Sequence, residues 1–249
     1  MDLIERSEHG AQRHPWEIAR ATFFCRLLKR NDLLDSDTWL DVGSGDAWFA
    51  KQLLRSLPTT ASVEAWDVFY TPEEVVGQSS GRLQLTIEQP HERFDRVLLM
   101  DVIEHIEDDR GFLRGILDKN LNADGRVLIT VPAYQKLFSE HDVQLRHFRR
   151  YSPRECRSLI ADCGLEICKQ GGLFHSLLIA RAIAIGIEKL RKKSSQQGIG
   201  RWTHGDFLTK AVLAALQSEA RLSVSSSRRG LTVPGLTYWA LCKRTSDSV

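Results

Sequence analysis

Apolar positions along the chain change period repeatedly, and each change marks an element. In Pro15–Arg30, the residues Trp16, Ala19, Phe23, Leu27 and Leu28 recur at helical spacing. A polar turn, Asn31–Asp37, precedes Thr38–Val42, a short run that reads as a buried strand ending at Gly43. Ala47–Leu57 resumes the helical period and stops before Pro58, whose ring disfavours helix in the preceding residue. Ser62–Trp66 reads as a second strand, Arg82–Leu85 as a third and Arg96–Met100 as an apolar fourth. Asp108–Asn120 is predicted helical and Asn122–Gly125 a turn. Arg126–Val131 follows as a fifth strand, stopped by Pro132.

Strands of this kind alternating with helices predict an α/β fold, with a mostly parallel sheet covered on both faces. Beyond Pro132 the pattern loosens. Ser152–Cys163 is predicted helical, with Ser152 as cap and Pro153 at the first helical position. Leu165–Cys168 is a short strand. Gly171–Leu190 and Phe207–Leu222 read as helices around a polar segment, Arg191–Gly205, and Leu236–Lys243 closes the chain as a strand. No internal repeat is visible. The expected organisation is a single domain: an N-terminal helical lid over residues 1–34, a core of 35–170 with 233–245, and a helical cap insertion over 171–232.

Composition narrows the class. The 249 residues carry 34 basic and 32 acidic side chains, a balance that argues against a nucleic-acid partner. Six Trp and ten Phe argue for a packed core over disorder. The five cysteines are scattered with no Cys-x-x-Cys pair, which suits free thiols in a reducing cytoplasm. The polar start, MDLIERSEHGAQRHPWE, does not read as a signal peptide. The most apolar run, Leu173–Ile187, has Arg181 at its centre and is short for a membrane span, so a buried cap or interfacial helix is expected. With Arg191, Lys192 and Lys193 beside it, peripheral membrane contact is the interfacial version of that expectation.

The chemistry concentrates at Leu40-Asp41-Val42-Gly43-Ser44-Gly45-Asp46-Ala47-Trp48, where a strand enters a glycine turn and then a helix. Such a turn lets a ligand approach the backbone, with free N–H groups at the helix start. Asp67 ends the second strand, where a carboxylate can accept both hydroxyls of a ribose. A dinucleotide site would place a third glycine at Trp48, and Asp41 would repel a pyrophosphate. A nicotinamide-dependent oxidoreductase is therefore the weaker reading. A cationic, phosphate-free ligand such as S-adenosylmethionine (SAM) fits better.

At these residues the chain resembles the class I SAM-dependent methyltransferases, over roughly residues 15–170 and the last strand. Asp41-Val-Gly-Ser-Gly45 is similar to the family's first motif and Asp67 to its ribose-binding acid. Phe94–His105 is similar to its fourth-strand motif beside the methionine part of the cofactor, and Asn122–Gly125 to the turn before its fifth strand. The resemblance implies the family's seven-stranded, Rossmann-like sheet with a helical insertion. It also implies SAM contacts from Asp41, Gly43, Ser44, Gly45, Asp67, Val68, Met100 and Asp101. His14-Pro-Trp16-Glu-x-x-Arg20 resembles an N-terminal segment that folds over the cofactor, with Arg20 pairing its carboxylate; a surface arginine is the alternative. Ala47 replaces the motif's third glycine. The adenine contact stays open, since Thr86 or Ile87 stands where an acidic reader is common.

An oxygen acceptor often needs a base, and His105, His141 and His147 are the candidates near the sheet's ligand-binding edge. Asp101, Glu104 and His105, at i, i+3 and i+4, also share one face of a helical turn and form a possible divalent-metal set. Similar runs occur in family members with and without an ion, so a metal is not favoured. His147-Phe-Arg149-Arg150-Tyr151 is a basic-aromatic cluster that either binds an anionic group of the acceptor or clamps its own loop. The expected activity is O-methylation of a small, glycan or lipid-linked acceptor. A methyltransferase-fold scaffold that binds SAM or a partner without turnover is the non-enzymatic alternative.

Overall fold

The computed structural model describes residues 13–191 and 205–245. Its strands are β1 (Thr38–Val42), β2 (Ser62–Trp66), β3 (Leu83–Thr86), β4 (Phe94–Met100), β5 (Leu121–Pro132), β6 (Leu165–Leu173) and β7 (Thr237–Arg244). The helices are α1 (Pro15–Arg30), α2 (Trp48–Leu54), α3 (Pro72–Gln78), α4 (Asp109–Asn120), α5 (Glu140–Gln144), α6 (Pro153–Asp162), α7 (His175–Arg191) and α8 (Asp206–Arg228). One sheet runs in the order β3-β2-β1-β4-β5-β7-β6. Strands β1 to β5 pair in parallel, while β7 runs antiparallel to both β5 and β6. This is the seven-stranded, mostly parallel architecture expected from the alternation.

Side-chain alternation on the strands builds two cores. β1 sends Trp39 to one face and Leu40 to the other. On Trp39's face lie Phe23, Phe24 and Leu28 of α1, Ala50 and Leu53 of α2, and Leu216, Ala220 and Val224 of α8. The opposite face is covered by Leu113, Ile116 and Leu117 of α4 with Cys156, Leu159 and Ile160 of α6. Phe23 sets its ring edge against Trp239 at 5.6 Å, which joins α1 to β7. Strand order reverses between β1 and β4, and an open α/β sheet binds ligands at such a reversal, beyond the carboxyl ends of the strands.

The C-terminal half departs from the sequence pattern. Gly171–Leu173 belongs to β6, not to a helix, and α7 starts only at His175. The glycines are there for close approach: a Cβ at Gly171 would meet the Trp239 ring at 2.7 Å, and one at Gly172 the Val233 carbonyl at 2.3 Å. The expected burial of the first insertion helix also fails. Ile179 is 62% exposed and Ile183 58%, whereas the longer α8 buries its apolar side between α1 and β6. The central charge of the apolar run, Arg181, is half-buried and donates to Ser139 Oγ. No helix among the described residues is long and apolar enough to cross a membrane. Lys192 and Lys193 lie outside the described residues, as does the lid sequence before Arg13.

Asn122–Gly125 is looped out of the β4–β5 ladder between the pairs Phe94/Leu121 and Arg96/Arg126, so the expected turn is a bulge within one strand. Two short helices had no apolar period to announce them, α3 and α5. Each begins with a capping box, Thr71/Glu74 and Ser139/Asp142, and that local signal was in the sequence.

Truncating Phe23 to Ala empties the contact between α1 and Trp239 and should cost about 3–5 kcal/mol of stability. Urea unfolding followed by fluorescence reads this, with the exposed Arg55→Ala as a control that stays within about 0.5 kcal/mol.

Candidate active site

The turn after β1 is built from alternate left-handed residues: Gly43 at φ 61°, Gly45 at 60° and Ala47 at 56°. Glycine takes this conformation freely, and alanine does so at a cost that burial of Ala47 against the core offsets. Ser44 N–H donates to Trp66 O at 3.1 Å and Gly45 N–H to Asp67 Oδ2 at 2.8 Å, so the turn is fastened to the end of β2. Asp67 accepts Phe69 N–H on its other oxygen, at 3.0 Å. Ser44 Oγ lies 2.7 Å from Tyr70 Oη, a partner that sequence reasoning missed because no period or spacing marks Tyr70.

Asp41 is buried at the foot of the same turn. Burial pushes its carboxyl up to about 7, with Asp67 adding to the rise and Arg20 opposing it. Arg20 is itself buried, which removes the surface-arginine alternative. Its guanidinium pairs with Asp101 at 2.8 Å and donates to Thr130 Oγ1 at 3.2 Å, and Thr130 donates to Asp101 at 2.9 Å. Asp101 holds its side chain there from a left-handed backbone, φ 59°. Arg20 Nε has no partner among the described residues. Ahead of α1, Arg13 pairs with Asp46 and lies 4.6 Å over the Trp48 ring, closing the lid sequence onto the glycine turn. A cleft of about 460 Å³, its open mouth included, runs between Trp16, Arg20, Asp41, Gly43, Trp48 and Met100.

A family model described as a methyltransferase domain matches residues 16–170, more than half of the chain. The chain belongs to this family of SAM-dependent methyltransferases. No curated protein is similar enough in sequence to match it. Among solved structures, it is similar to a provisionally named sarcosine dimethylglycine methyltransferase of Galdieria sulphuraria, with a TM-score of 0.56 and 16% identity over 93% of this chain and 86% of that one. It is also similar to the 1,6-didemethyltoxoflavin N1-methyltransferase of Burkholderia thailandensis, solved with S-adenosylhomocysteine, with a TM-score of 0.50 and 19% identity over 62% and 72%. A third is the mitomycin 7-O-methyltransferase MmcR, with a TM-score of 0.54 and 12% identity over 94% and 61%.

The methyltransferase cleft fits SAM on this structure's own donor set. Asp41 is a buried carboxylate that lacks a full counter-charge, Asp67 sets a second carboxylate at the end of β2 beside the glycine turn, and Arg20 Nε is an unused donor for a carboxylate. Met100 lines the cleft and Val68 stands exposed just past Asp67, beside Phe69. Thr86 gives its hydroxyl to Glu88 O at 3.0 Å, and Ile87 O accepts the Trp66 indole at 3.1 Å, so neither side-chain nor backbone oxygen there is idle.

The expected acceptor-side residues divide into two groups. Glu104, His105 and His147 come together, their ligand atoms all within 4.8 Å, and the two imidazole centroids are 4.5 Å apart. Asp101 is absent from this group because it turns to Arg20, so the i, i+3, i+4 metal set does not form as the helical spacing suggested. His141, on α5, is half-buried, and burial holds its imidazole below the ordinary value. Asp142 beside it is fully buried. Despite that burial, the hydrogen bond from His147 and the Arg150 guanidinium hold it down at about 2.

The basic-aromatic cluster is taken up internally. Arg150 Nε donates to Asp142 at 2.7 Å, Arg149 pairs with Asp109 at 3.0 Å, and Tyr151 Oη donates to Asp109 at 2.6 Å. Its charges are met by the protein's own carboxylates, so the geometry is that of a loop clamp and not of an open anion site.

Because the folded Asp41 titrates near 7 against about 4 when unfolded, its ionisation opposes folding increasingly as pH rises through that window. Asp41→Asn should therefore raise the melting temperature of the ligand-free protein more at pH 8 than at pH 5. Thermal denaturation at the two pH values reads the difference.

Proposed function

We propose that this methyltransferase moves the methyl group of SAM onto an oxygen of a small acceptor. The observation that carries the reading is the cleft at the strand reversal, where Asp41, Asp67 and Arg20 offer one carboxylate for an ammonium, one for a ribose and one guanidinium donor for a carboxylate. In this reading Gly43, Ser44 and Gly45 supply the close backbone, Val68 borders the ribose edge, and Met100 and Asp101 flank the methyl side. SAM in this cleft supplies a methyl group on a sulfonium, ready for in-line displacement.

The chain's own residues position and dry the reaction. Arg13 and Trp16 of the lid cover the cofactor cleft, with Trp16 set edge-on to Phe174 at 6.4 Å. His105, His141 and His147 are assigned to the acceptor end, where they meet its hydroxyl and ease loss of the proton. Arg149, Arg150 and Tyr151 serve the acceptor indirectly, by fixing the loop that carries His147. The acceptor is a small, glycan or lipid-linked molecule. The uncovered isoleucine side of α7 favours one with an apolar portion.

Two measurements test this. SAM should bind with an affinity that falls as pH drops from 8 to 6, because protonated Asp41 no longer attracts the ammonium, and Asp41→Asn should flatten that dependence. Asp67→Asn should weaken binding on the order of 100-fold, the value of about two charge-assisted hydrogen bonds. Isothermal titration calorimetry reads both. Radiolabelled SAM incubated with fractionated lysate should then label a small-molecule, glycan or lipid fraction. SAM binding without incorporation into any fraction would favour the scaffold reading instead.

A further inference from the structure

The fold treats the two sides of α7 differently. On the inner side Leu177 packs against the core, Ile185 is buried and the Arg181 guanidinium donates to Ser139 Oγ. On the outer side Ile179, Ile183 and Ile187 recur every four residues and stand 62%, 58% and 43% exposed. Ser176, Ala180 and Gly186 fill in that side; they are small and exposed, and a Cβ added at Gly186 would meet nothing within 4 Å. Arg181 is the one charged residue in the sequence from Ser176 to Ile187, and it points inward. An unbroken apolar row about 12 Å long is therefore open to water. Contiguous exposed apolar surface of this kind marks a contact surface.

Charge along the chain says what covers it. The row runs on in sequence to Arg191, four residues past Ile187, and Lys192 and Lys193 follow. From Lys189 to Gly205 the sequence has Lys189, Arg191, Lys192, Lys193 and Arg201 and no acidic residue, although the whole chain nearly balances 34 basic against 32 acidic side chains. α8 then opens with Phe207, 88% exposed, and with exposed Lys210 one turn on. Apolar side chains beside unopposed basic ones suit an anionic bilayer surface: isoleucines enter the boundary of headgroups and acyl chains, and cations stay with the lipid phosphates. A second protein fits less well. A stable protein interface takes about 20–30 residues a side, and this row offers three isoleucines with small residues between them. α7 has 17 residues, and no helix among the described residues is long and apolar enough to cross a membrane, so the fitting geometry is a helix lying on the surface.

We propose that the outer side of α7 is a docking surface for membranes containing anionic lipid, seated by Ile179, Ile183 and Ile187. Arg181, on the opposite side, ties α7 to Ser139, the cap of α5, and so to the segment that carries His141 and His147. That segment then stands about one helix diameter, roughly 10 Å, from the docked surface. Docking selects the lipid-linked class among the acceptors of the proposed function, and in that step alone the inference rests on that reading.

Flotation of the full chain with lipid vesicles tests the surface. The expected result is binding to vesicles of phosphatidylcholine mixed with phosphatidylglycerol, little binding to phosphatidylcholine alone, and release as salt rises. Ile183→Ser should weaken binding to the mixed vesicles about 10-fold, the value of one isoleucine side chain left in water. Its melting temperature should be kept, because this side chain is more than half exposed in the free chain. Replacing Arg191, Lys192 and Lys193 together by Gln should remove the preference for the anionic lipid. Failure of the wild-type chain to float with the mixed vesicles, or equal flotation of Ile183→Ser, overturns the docking surface. Sedimentation velocity on the same samples gives a further outcome: a dimer that needs Ile183 and does not bind vesicles assigns the row to a second copy and also overturns the proposal. SAM binding should be the same in Ile183→Ser, and its absence in the wild-type chain overturns the functional reading while leaving the flotation result intact.

Discussion

The hydrogen bond from Gly45 N–H to Asp67 joins the two strand ends that make the cofactor site. It goes with a left-handed turn at Gly43 and Gly45, which carries the chain past the end of β2. The turn in turn aims the start of α2 and leaves Asp41 buried beneath it. Asp67 thereby accepts the amides of both Gly45 and Phe69, one on each carboxylate oxygen. The Ser44 N–H, donating to Trp66 O at 3.1 Å, fastens the same turn a second time.

A second theme is the uneven treatment of buried carboxylates. Asp142 is surrounded by donors and a guanidinium, and it stays ionised. Asp41 is buried with little compensation, and burial drives its carboxyl up to about 7. Glu104 has no side-chain partner among the described residues, and burial with repulsion from Asp101 pushes it far above the carboxylate range. Burial of the last two opposes their ionisation, which folding tolerates only while they hold their protons. Asp142, by contrast, organises: it locks His147 and Arg150 and so holds the loop after β5 in place.

Much of the first 170 residues was legible from the chain itself. β1 and β4 are apolar runs ended by Gly43 and Asp101, and parallel strands buried on both faces leave that signature. Where the reading failed, the competing cause was tertiary. Gly171 and Gly172 read as the start of a helix, but they continue β6, because Trp239 and the Val233 carbonyl come close enough to exclude any side chain. α7 looks like core because its residues are apolar, yet α8 reaches the sheet first and leaves Ile179 and Ile183 outside.

The sequence by itself determined the order of the charged and glycine positions along the strands: a glycine turn with Asp41 before it, a carboxylate, Asp67, at the end of the second strand, and a methyltransferase architecture to carry them. These depend on local period and short spacing, which are written in neighbouring residues. Only the tertiary structure decided how the charged groups pair. Spacing of i, i+3 and i+4 put Asp101 with Glu104 and His105, but the fold turned Asp101 to Arg20, 81 residues away, and brought in His147 from beyond β5. Likewise Arg149, Arg150 and Tyr151 were open to bind an acceptor until Asp109 and Asp142 claimed them. A side chain's partner is set by which elements pack together, and buried charges take whichever partner lowers the cost of leaving water.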